Sequence, residues 1–169
     1  MELKAQITDR DEIRDLLLKQ KAIYIGRYHH IDTYFKTTRG RLKMRELGGQ
    51  SKTHLIFYER EDVAGPKESK VWKVEVVEPN ATKELLSQVL PITVIVEKDR
   101  EVYMCNSFQV HLDKVERLGE FLELEKEVPN EPDAIQQARV EMEALLKKMD
   151  LYQITFQNRA YSEMILDTE

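Results

Sequence analysis

The stretch QVHLDKVERLGEFLELEKE, residues 109–127, decides the fold prediction for this chain. It reads as two strands that fold back on each other near residues 117–119. The second strand alternates leucine with glutamate, so one face is apolar and the other is acidic. The acidic face carries Phe121, Glu123, Glu125 and Glu127. In an ordinary half-buried strand such a face would be a solvated outer surface, and that interpretation stays open until other strands are considered.

Other predicted strands alternate in the same way, but with basic residues. In RLKMREL, residues 41–47, three cations share one face opposite Leu42 and Met44. Like charges side by side on a strand repel each other unless water solvates them or they share an anion. Further along, Lys98 and Arg100 are two residues apart and therefore also share a face. The sequence thus predicts strand faces of both signs.

The periodicity of the remaining chain predicts about eight strands joined by hairpins and a few helices. The strands are predicted over residues 1–7, 22–35, 41–47, 52–61, 70–78, 92–105, 108–118 and 120–128. The helices are predicted from a cap at Thr8 or Asp9 to Lys21, from a cap at Asn80 to Val89, over 131–149, and in the tail NRAYSEMIL after a short β-rich segment, YQITFQ. This is an α+β arrangement, with one domain over residues 1–169. Eight antiparallel strands can close into a barrel, a tunnel whose lumen holds side chains or one small ligand.

Composition restricts the classes of partner. The net charge of −5 and pI near 5.5 argue against binding to nucleic acid or an anionic membrane. Cys105 is the only cysteine, which excludes an internal disulfide or a zinc-cysteine cluster and fits a reducing, cytoplasmic setting. No apolar run approaches the ~20 residues of a membrane span. A homodimer is compatible with the sequence.

Several known site motifs are absent from the sequence. It lacks the glycine-rich phosphate loop, the serine nucleophile elbow and the paired-histidine zinc motif. The histidines show no metal-ligand spacing and are interpreted as structural or solvent-facing: His29, His30, His54 and His111. No general base or other catalytic residue is assigned.

The charged alternating positions are the candidate site. The basic group is Lys4, Arg41, Lys43, Arg45, Arg60, Lys98 and Arg100, and the acidic group is Glu2, Glu123 and Glu125. Burying such ions in an empty apolar lumen would cost several kcal/mol each, so the lumen must be wet or filled. A polyphosphate fits, because arginine and lysine bind phosphate oxygens while carboxylates hold Mg²⁺ or Mn²⁺.

The chain resembles a known family in motifs that cover nearly its whole length. They are Glu2-Leu3-Lys4, HIDTYF at 30–35, RGRLKMRE at 39–46, YERED at 58–62, GPK at 65–67, EKDR at 97–100 and VHLDKVERLGEFLELE at 110–125. Together they resemble the CYTH superfamily, the triphosphate tunnel metalloenzymes, which include class IV adenylyl cyclases and thiamine triphosphatases.

The resemblance implies an eight-stranded antiparallel tunnel that binds a triphosphate and two divalent metal ions. By position, it implies phosphate contacts from Lys4, Lys43, Arg45, Lys98 and Arg100, with Arg60 a weaker candidate, and metal contacts from Glu2, Glu123 and Glu125. The family's opening motif is Glu-x-Glu-x-Lys, and here only Glu2 and Lys4 remain, because Met1 leaves no room for the first glutamate.

The reaction type stays open at this point. The motifs around residues 30–35 and 110–125 look closest to the class IV adenylyl cyclase branch, which forms cyclic AMP and pyrophosphate from ATP. The alternatives are a triphosphatase acting on inorganic triphosphate or an organic triphosphate such as thiamine triphosphate, and a module that binds a triphosphate or nucleotide without turnover.

Overall fold

A computed structural model describes residues 1–48, 52–60, 69–151 and 154–168. The strands are β1 (Glu2–Ile7), β2 (Ile23–Phe35), β3 (Arg41–Leu47), β4 (Thr53–Arg60), β5 (Ser69–Val76), β6 (Ile92–Cys105), β7 (Phe108–Val115) and β8 (Gly119–Glu125). The helices are α1 (Arg10–Lys19), α2 (Pro79–Val89), α3 (Pro132–Lys148) and α4 (Tyr161–Leu166).

All eight strands join one antiparallel sheet in the order β1-β8-β7-β6-β2-β3-β4-β5. The sheet curls into a half-barrel, which confirms the α+β prediction of eight antiparallel strands with covering helices. The ladder of strand pairing ends at β1 and β5. At their starts these two end strands meet through side chains, where the Ser69 hydroxyl donates to Glu2 Oε2 at 3.4 Å.

The two faces of the curled sheet bury different sets of side chains. On the outer face, Leu122 and Leu124 are fully buried in a cluster with apolar residues of α1 and α3. On the inner face, Phe121 packs edge-on against Tyr161 of α4, with ring centroids 4.9 Å apart. The alternation in β8 therefore separates an apolar outer side from an inner side that carries Phe121 and the glutamates.

Two helix starts show how local sequence sets the boundaries. Asp9 caps α1, because its Oδ1 accepts from the backbone N–H groups of Asp11 and Glu12 at 2.9 and 3.1 Å. The predicted cap of α2 at Asn80 is wrong. That helix starts at Pro79, after Glu78, because proline lacks the N–H that would stay unbonded at a first helical position.

The end of the chain is less regular than predicted. Part of the β-rich segment YQITFQ, residues 152–153, lies outside the described residues, and Phe156 forms only an isolated bridge with Ala5. The predicted tail helix is present as α4. Most of the predicted loop over residues 62–69 also lies outside the described ranges. No described helix has the length and hydropathy of a membrane span.

Candidate functional site

The inner face collects the basic residues singled out from the sequence. Lys4 of β1 and Lys98 of β6 both lie over the ring of Tyr161, with Nζ 3.9 and 4.9 Å from its centroid. Two other strands separate β1 from β6 in the sheet, so only the curl brings both ammonium groups to one ring. Both lysines are buried, 4% and 3% exposed, which excludes a solvated outer face for them.

Asp113 of β7 binds the cations of β6. Its carboxylate accepts from Lys98 Nζ at 3.0 Å and from Arg100 Nε and Nη2 at 2.7 and 2.6 Å. The hydroxyl of Tyr161 also donates to it, at 3.0 Å. Burial alone would raise the pKa of Asp113, but the charges of Arg100 and Lys98 outweigh it and hold that pKa below the usual value.

Asp32 of β2 binds the cations of β3 in the same way. It accepts from Lys43 Nζ at 2.8 Å and from Arg45 Nε and Nη2 at 2.7 and 2.6 Å. The register explains this contact, because Asp32 lies directly opposite Arg45. Burial favours the neutral acid, yet Arg45 and Lys43 hold the pKa of Asp32 well below its usual value. Asp32 is therefore a carboxylate at neutral pH.

Glu123 lies on β8, between β1 and β7 in the sheet, and also faces these cations. It pairs with Arg100, with Lys4 Nζ at 3.5 Å and with His111 Nδ1 at 3.6 Å. Lys4 also donates to the carbonyl of Arg159, at 3.2 Å. We call these eight charged side chains the inner cluster: Lys4, Asp32, Lys43, Arg45, Lys98, Arg100, Asp113 and Glu123. Five are cations and three are carboxylates, so the inner cluster carries an excess of positive charge.

The other predicted basic residues lie elsewhere. Arg41 pairs with Glu163 of α4 and lies 5.9 Å from the ring of Tyr58. Both charged residues line a cavity of about 530 Å³ beside the turn between β2 and β3. Arg41 is therefore at the rim of the inner cluster. The side chain of Arg60 falls outside the described part of the structure.

The predicted metal ligands separate into a pair and a single residue. Glu2 and Glu125 lie directly opposite each other on β1 and β8, and Glu125 is exposed. Two carboxylates with phosphate oxygens and water suit a Mg²⁺ or Mn²⁺ site, so this pair fits such an ion. Glu123 is instead engaged by Arg100. Within the described ranges, no three or more acidic, histidine or cysteine residues form a metal-binding group.

Sequence reasoning missed several inner residues, including Asp32, Asp113 and Tyr161. His30 and His111 are buried, as the structural interpretation allowed, but they too belong to this face. Burial, followed by the charge of Arg45, lowers the pKa of His30 to about 2, so its ring is neutral. Both aspartates lie within predicted strands, at residues 22–35 and 108–118. What was lacking was the register that sets each one against a cation.

The chain is similar to known proteins over nearly its whole length. The CYTH domain family matches residues 1–161. A protein of Methanocaldococcus jannaschii named "putative adenylate cyclase" is 28% identical, over 97% of each chain. The PH1819 protein from Pyrococcus horikoshii OT3 has a similar structure, with a TM-score of 0.82 and 25% identity over 99% of this chain and 98% of that one.

A more distant structural neighbour comes from Hippeastrum and is described as a "putative adenylyl cyclase" with a dominant triphosphatase activity. It has a TM-score of 0.71 and 15% identity, over 99% of this chain and 95% of its own. At that identity the likeness concerns the fold alone. The family match spans every strand and the helices α1 to α3, and it ends at the first residue of α4. The chain therefore belongs to the CYTH domain family.

Proposed function

We propose that this protein is a divalent-metal-dependent enzyme acting on triphosphate substrates, with ATP converted to cyclic AMP and pyrophosphate. The observation that carries the proposal is the inner cluster, in which buried cations from β1, β3 and β6 exceed the carboxylates beside them. A buried excess of positive charge is costly unless an anion or water compensates it. A triphosphate chain supplies several negative oxygens in a row and would lie along these side chains.

The cations would act by binding and by stabilising charge. The guanidinium groups of Arg45 and Arg100 already hold carboxylates through two nitrogens each, which is the geometry that suits phosphate oxygens. Asp32 and Asp113 hold these forks in place between substrates. Phosphoryl and nucleotidyl transfer depend mainly on positioning and on neutralising negative charge, and the inner cluster supplies both.

The carboxylates Glu2 and Glu125 are the proposed metal ligands, for Mg²⁺ or Mn²⁺. When bound, such an ion would neutralise phosphate charge and help to orient the substrate. Glu123 would act through Lys4 and Arg100, whose positions it fixes.

The choice of reaction depends on which phosphorus atom faces the nucleophile. In a cyclase the ribose 3′-hydroxyl attacks the α-phosphorus and pyrophosphate leaves. In a triphosphatase water attacks the terminal phosphorus, which becomes orthophosphate, and the remaining diphosphate is the leaving group. Cyclase activity is proposed first because the M. jannaschii relative carries that name and aligns over 97% of each chain. The same grip on phosphates would serve hydrolysis, which makes triphosphatase activity the alternative.

Product analysis tests the proposal. The protein is incubated with ATP, inorganic triphosphate or thiamine triphosphate, each with Mg²⁺ and with Mn²⁺. Cyclic AMP and pyrophosphate from ATP are the expected products. Orthophosphate from any substrate would instead assign the protein triphosphatase activity. Unchanged substrates with a ligand-dependent rise in melting temperature would indicate a non-catalytic binding module, and no rise at all would overturn triphosphate binding itself.

A further inference from the structure

The two edge strands of the sheet, β1 and β5, differ in how much of the chain lies against them. The edge of β1 is covered by the tail, where Phe156 bridges to Ala5 and the N–H of Gln157 donates to the carbonyl of Lys4 at 2.8 Å. The other edge strand, β5, forms a ladder with β4 alone among the described strands, and it meets β1 only at its start, through the Ser69–Glu2 contact. An uncovered edge strand presents a row of backbone donors and acceptors that can pair with another strand.

The side chains of β5 are unusually apolar for such a position. Val71, Trp72 and Val74 are 56%, 53% and 59% exposed, and Val77 beyond the strand end is 92% exposed. The nearby helix α2 has no fully buried residue and leaves Leu85 65% exposed. Apolar exposure grouped in this way is typical of an interaction surface.

The sequence of β5 is complementary to itself in one antiparallel register. When two copies pair with Val74 opposite Val74, Lys73 of each lies opposite Glu75 of the other, and Trp72 lies opposite Val76. Centring the pair on Lys73 or on Glu75 instead sets two like charges against each other. Edge lysines usually prevent strand pairing, but in the Val74-centred register the Lys73 of each copy lies opposite a glutamate.

The geometry points to a homodimer of this chain in which the two β5 strands pair antiparallel about Val74 and join the two half-barrels into one continuous sheet. A second copy is the partner that this charge pattern fits, because the two-fold axis forms the Lys73–Glu75 pair twice, once from each copy. No inner-cluster residue lies on β5, and the pairs proposed here lie beyond Ser69, the residue that contacts the proposed metal ligand Glu2. The inference does not rest on the proposed enzymatic function.

Charge exchange tests the register. Sedimentation equilibrium is measured for the native protein, for Lys73→Glu, for Glu75→Lys and for the double variant. Each single variant is expected to weaken dimerisation about tenfold or more, because two attractive pairs become repulsive, and the double variant should restore it. Lys114→Glu, at an exposed position within β7, is the control that should leave dimerisation unchanged.

Cysteine crosslinking provides a second test. Val74→Cys should give a disulfide-linked dimer under mild oxidation, because its two copies are directly opposite. In Glu75→Cys the two copies would be roughly 8 Å apart, beyond disulfide reach, so crosslinking should be much slower. Cys105 is buried and does not compete. A native protein that stays monomeric, a double variant that does not recover, or equal crosslinking at both positions would overturn the inference.

Discussion

Single residues in the inner cluster have a structural role and a proposed binding role. Asp113 is fully buried and contacts Lys98, Arg100 and Tyr161. Removing one partner of a buried ion pair costs roughly 3–5 kcal/mol, because the other charge is left uncompensated. A substitution at a fully buried residue of the inner cluster would therefore change folding and binding together. Substitutions at partly exposed residues of the inner cluster can separate the two effects.

Arg45 is such a member, with 18% of its side chain exposed. Arg45→Ala should weaken binding of inorganic triphosphate by about 10- to 100-fold, because one charge-assisted hydrogen-bonding group is lost. Lys43 remains to pair with Asp32, so the fold should persist. Calorimetric titration measures the change. Arg27→Ala, which removes an exposed arginine paired with Asp99 on the outer face, is the matched control and should bind normally.

Lys98 predicts a pH dependence of binding. Burial, followed by the charge of Arg100, lowers the pKa of Lys98 to about 8. Affinity for triphosphate should fall as the pH rises above that value, by at most about tenfold per pH unit, because one cation is lost. Lys98→Arg keeps its charge over this pH range, while protonation of the ligand affects both proteins equally. The difference between the pH profiles of affinity for the native protein and the variant therefore isolates the titration of Lys98. Identical profiles would show that Lys98 does not contact the anion.

The titration of Lys98 also affects stability, with a pH dependence opposite to that of affinity. Its folded pKa, about 8, lies below the ordinary value of 10.5. Between these pH values the unfolded chain binds more protons than the folded one, so the contribution of Lys98 to the free energy of unfolding rises with pH. Affinity and stability should therefore diverge over this range.

The carboxylate pair predicts the metal requirement. Glu125→Gln and Glu2→Gln should each raise the Mg²⁺ or Mn²⁺ concentration needed for half-maximal activity by roughly tenfold or more, since an oxygen ligand of the ion loses its charge. Glu116→Gln, at an exposed position outside the strands, is the control. An unchanged metal titration in both pair variants would place the ion elsewhere.

At the scale of elements, the short helix α4 closes one side of the inner cluster. Tyr161 contacts Lys4, Lys98 and Asp113, and Glu163 pairs with Arg41. Burial, followed by the charge of Asp113, raises the pKa of Tyr161, so the phenol keeps the proton that it donates. A helix of six residues is not stable by propensity, and it forms because its side chains pack inside the curl.

Ile165 tests the contribution of α4 to folding. It is 1% exposed in the same apolar cluster as Phe121. Ile165→Ala should lower the free energy of unfolding by roughly 2–5 kcal/mol, through lost burial and the cavity that remains. Leu166→Ala, whose side chain is 44% exposed, should cost much less. Denaturant unfolding measures both, and equal losses would mean that α4 does not pack as described.

At the scale of the whole molecule, charge is segregated. The chain carries a net charge of −5, yet its inner cluster has more cations than carboxylates. The acidic exterior argues against non-specific binding of polyanions, and the basic interior admits an anion small enough to enter. The overall charge therefore disfavours large polyanions, whereas the local charge of the inner cluster favours a small anion.

Ligand-linked stability tests this segregation directly. Inorganic triphosphate at a hundred times its dissociation constant should stabilise the protein by ~2.7 kcal/mol, which for a domain of this size raises the melting temperature by about 5–10 °C. Sulfate at the same ionic strength controls for general salt effects. A melting temperature that rises equally with both salts would contradict a specific site.

The sequence alone determined which residues form strands and which of them share a face. The alternation in residues 41–47 and 119–125 is local, since side chains two apart on a strand point to the same side wherever that strand is placed. For that reason the eight strands and the candidacy of Lys43, Arg45 and Glu123 follow from periodicity and resemblance.

Only the tertiary structure decided which charges meet. Asp32 binds Arg45, Asp113 binds Arg100, and Tyr161 lies between Lys4 and Lys98 because strands distant in sequence pair in one register and the sheet then curls. Strand order and register depend on contacts between residues far apart in the sequence, and no local pattern encodes them. The roles of Asp32 and Asp113 and the position of α4 against the inner cluster were therefore beyond the reach of the sequence, although the cations and the helix itself were predicted.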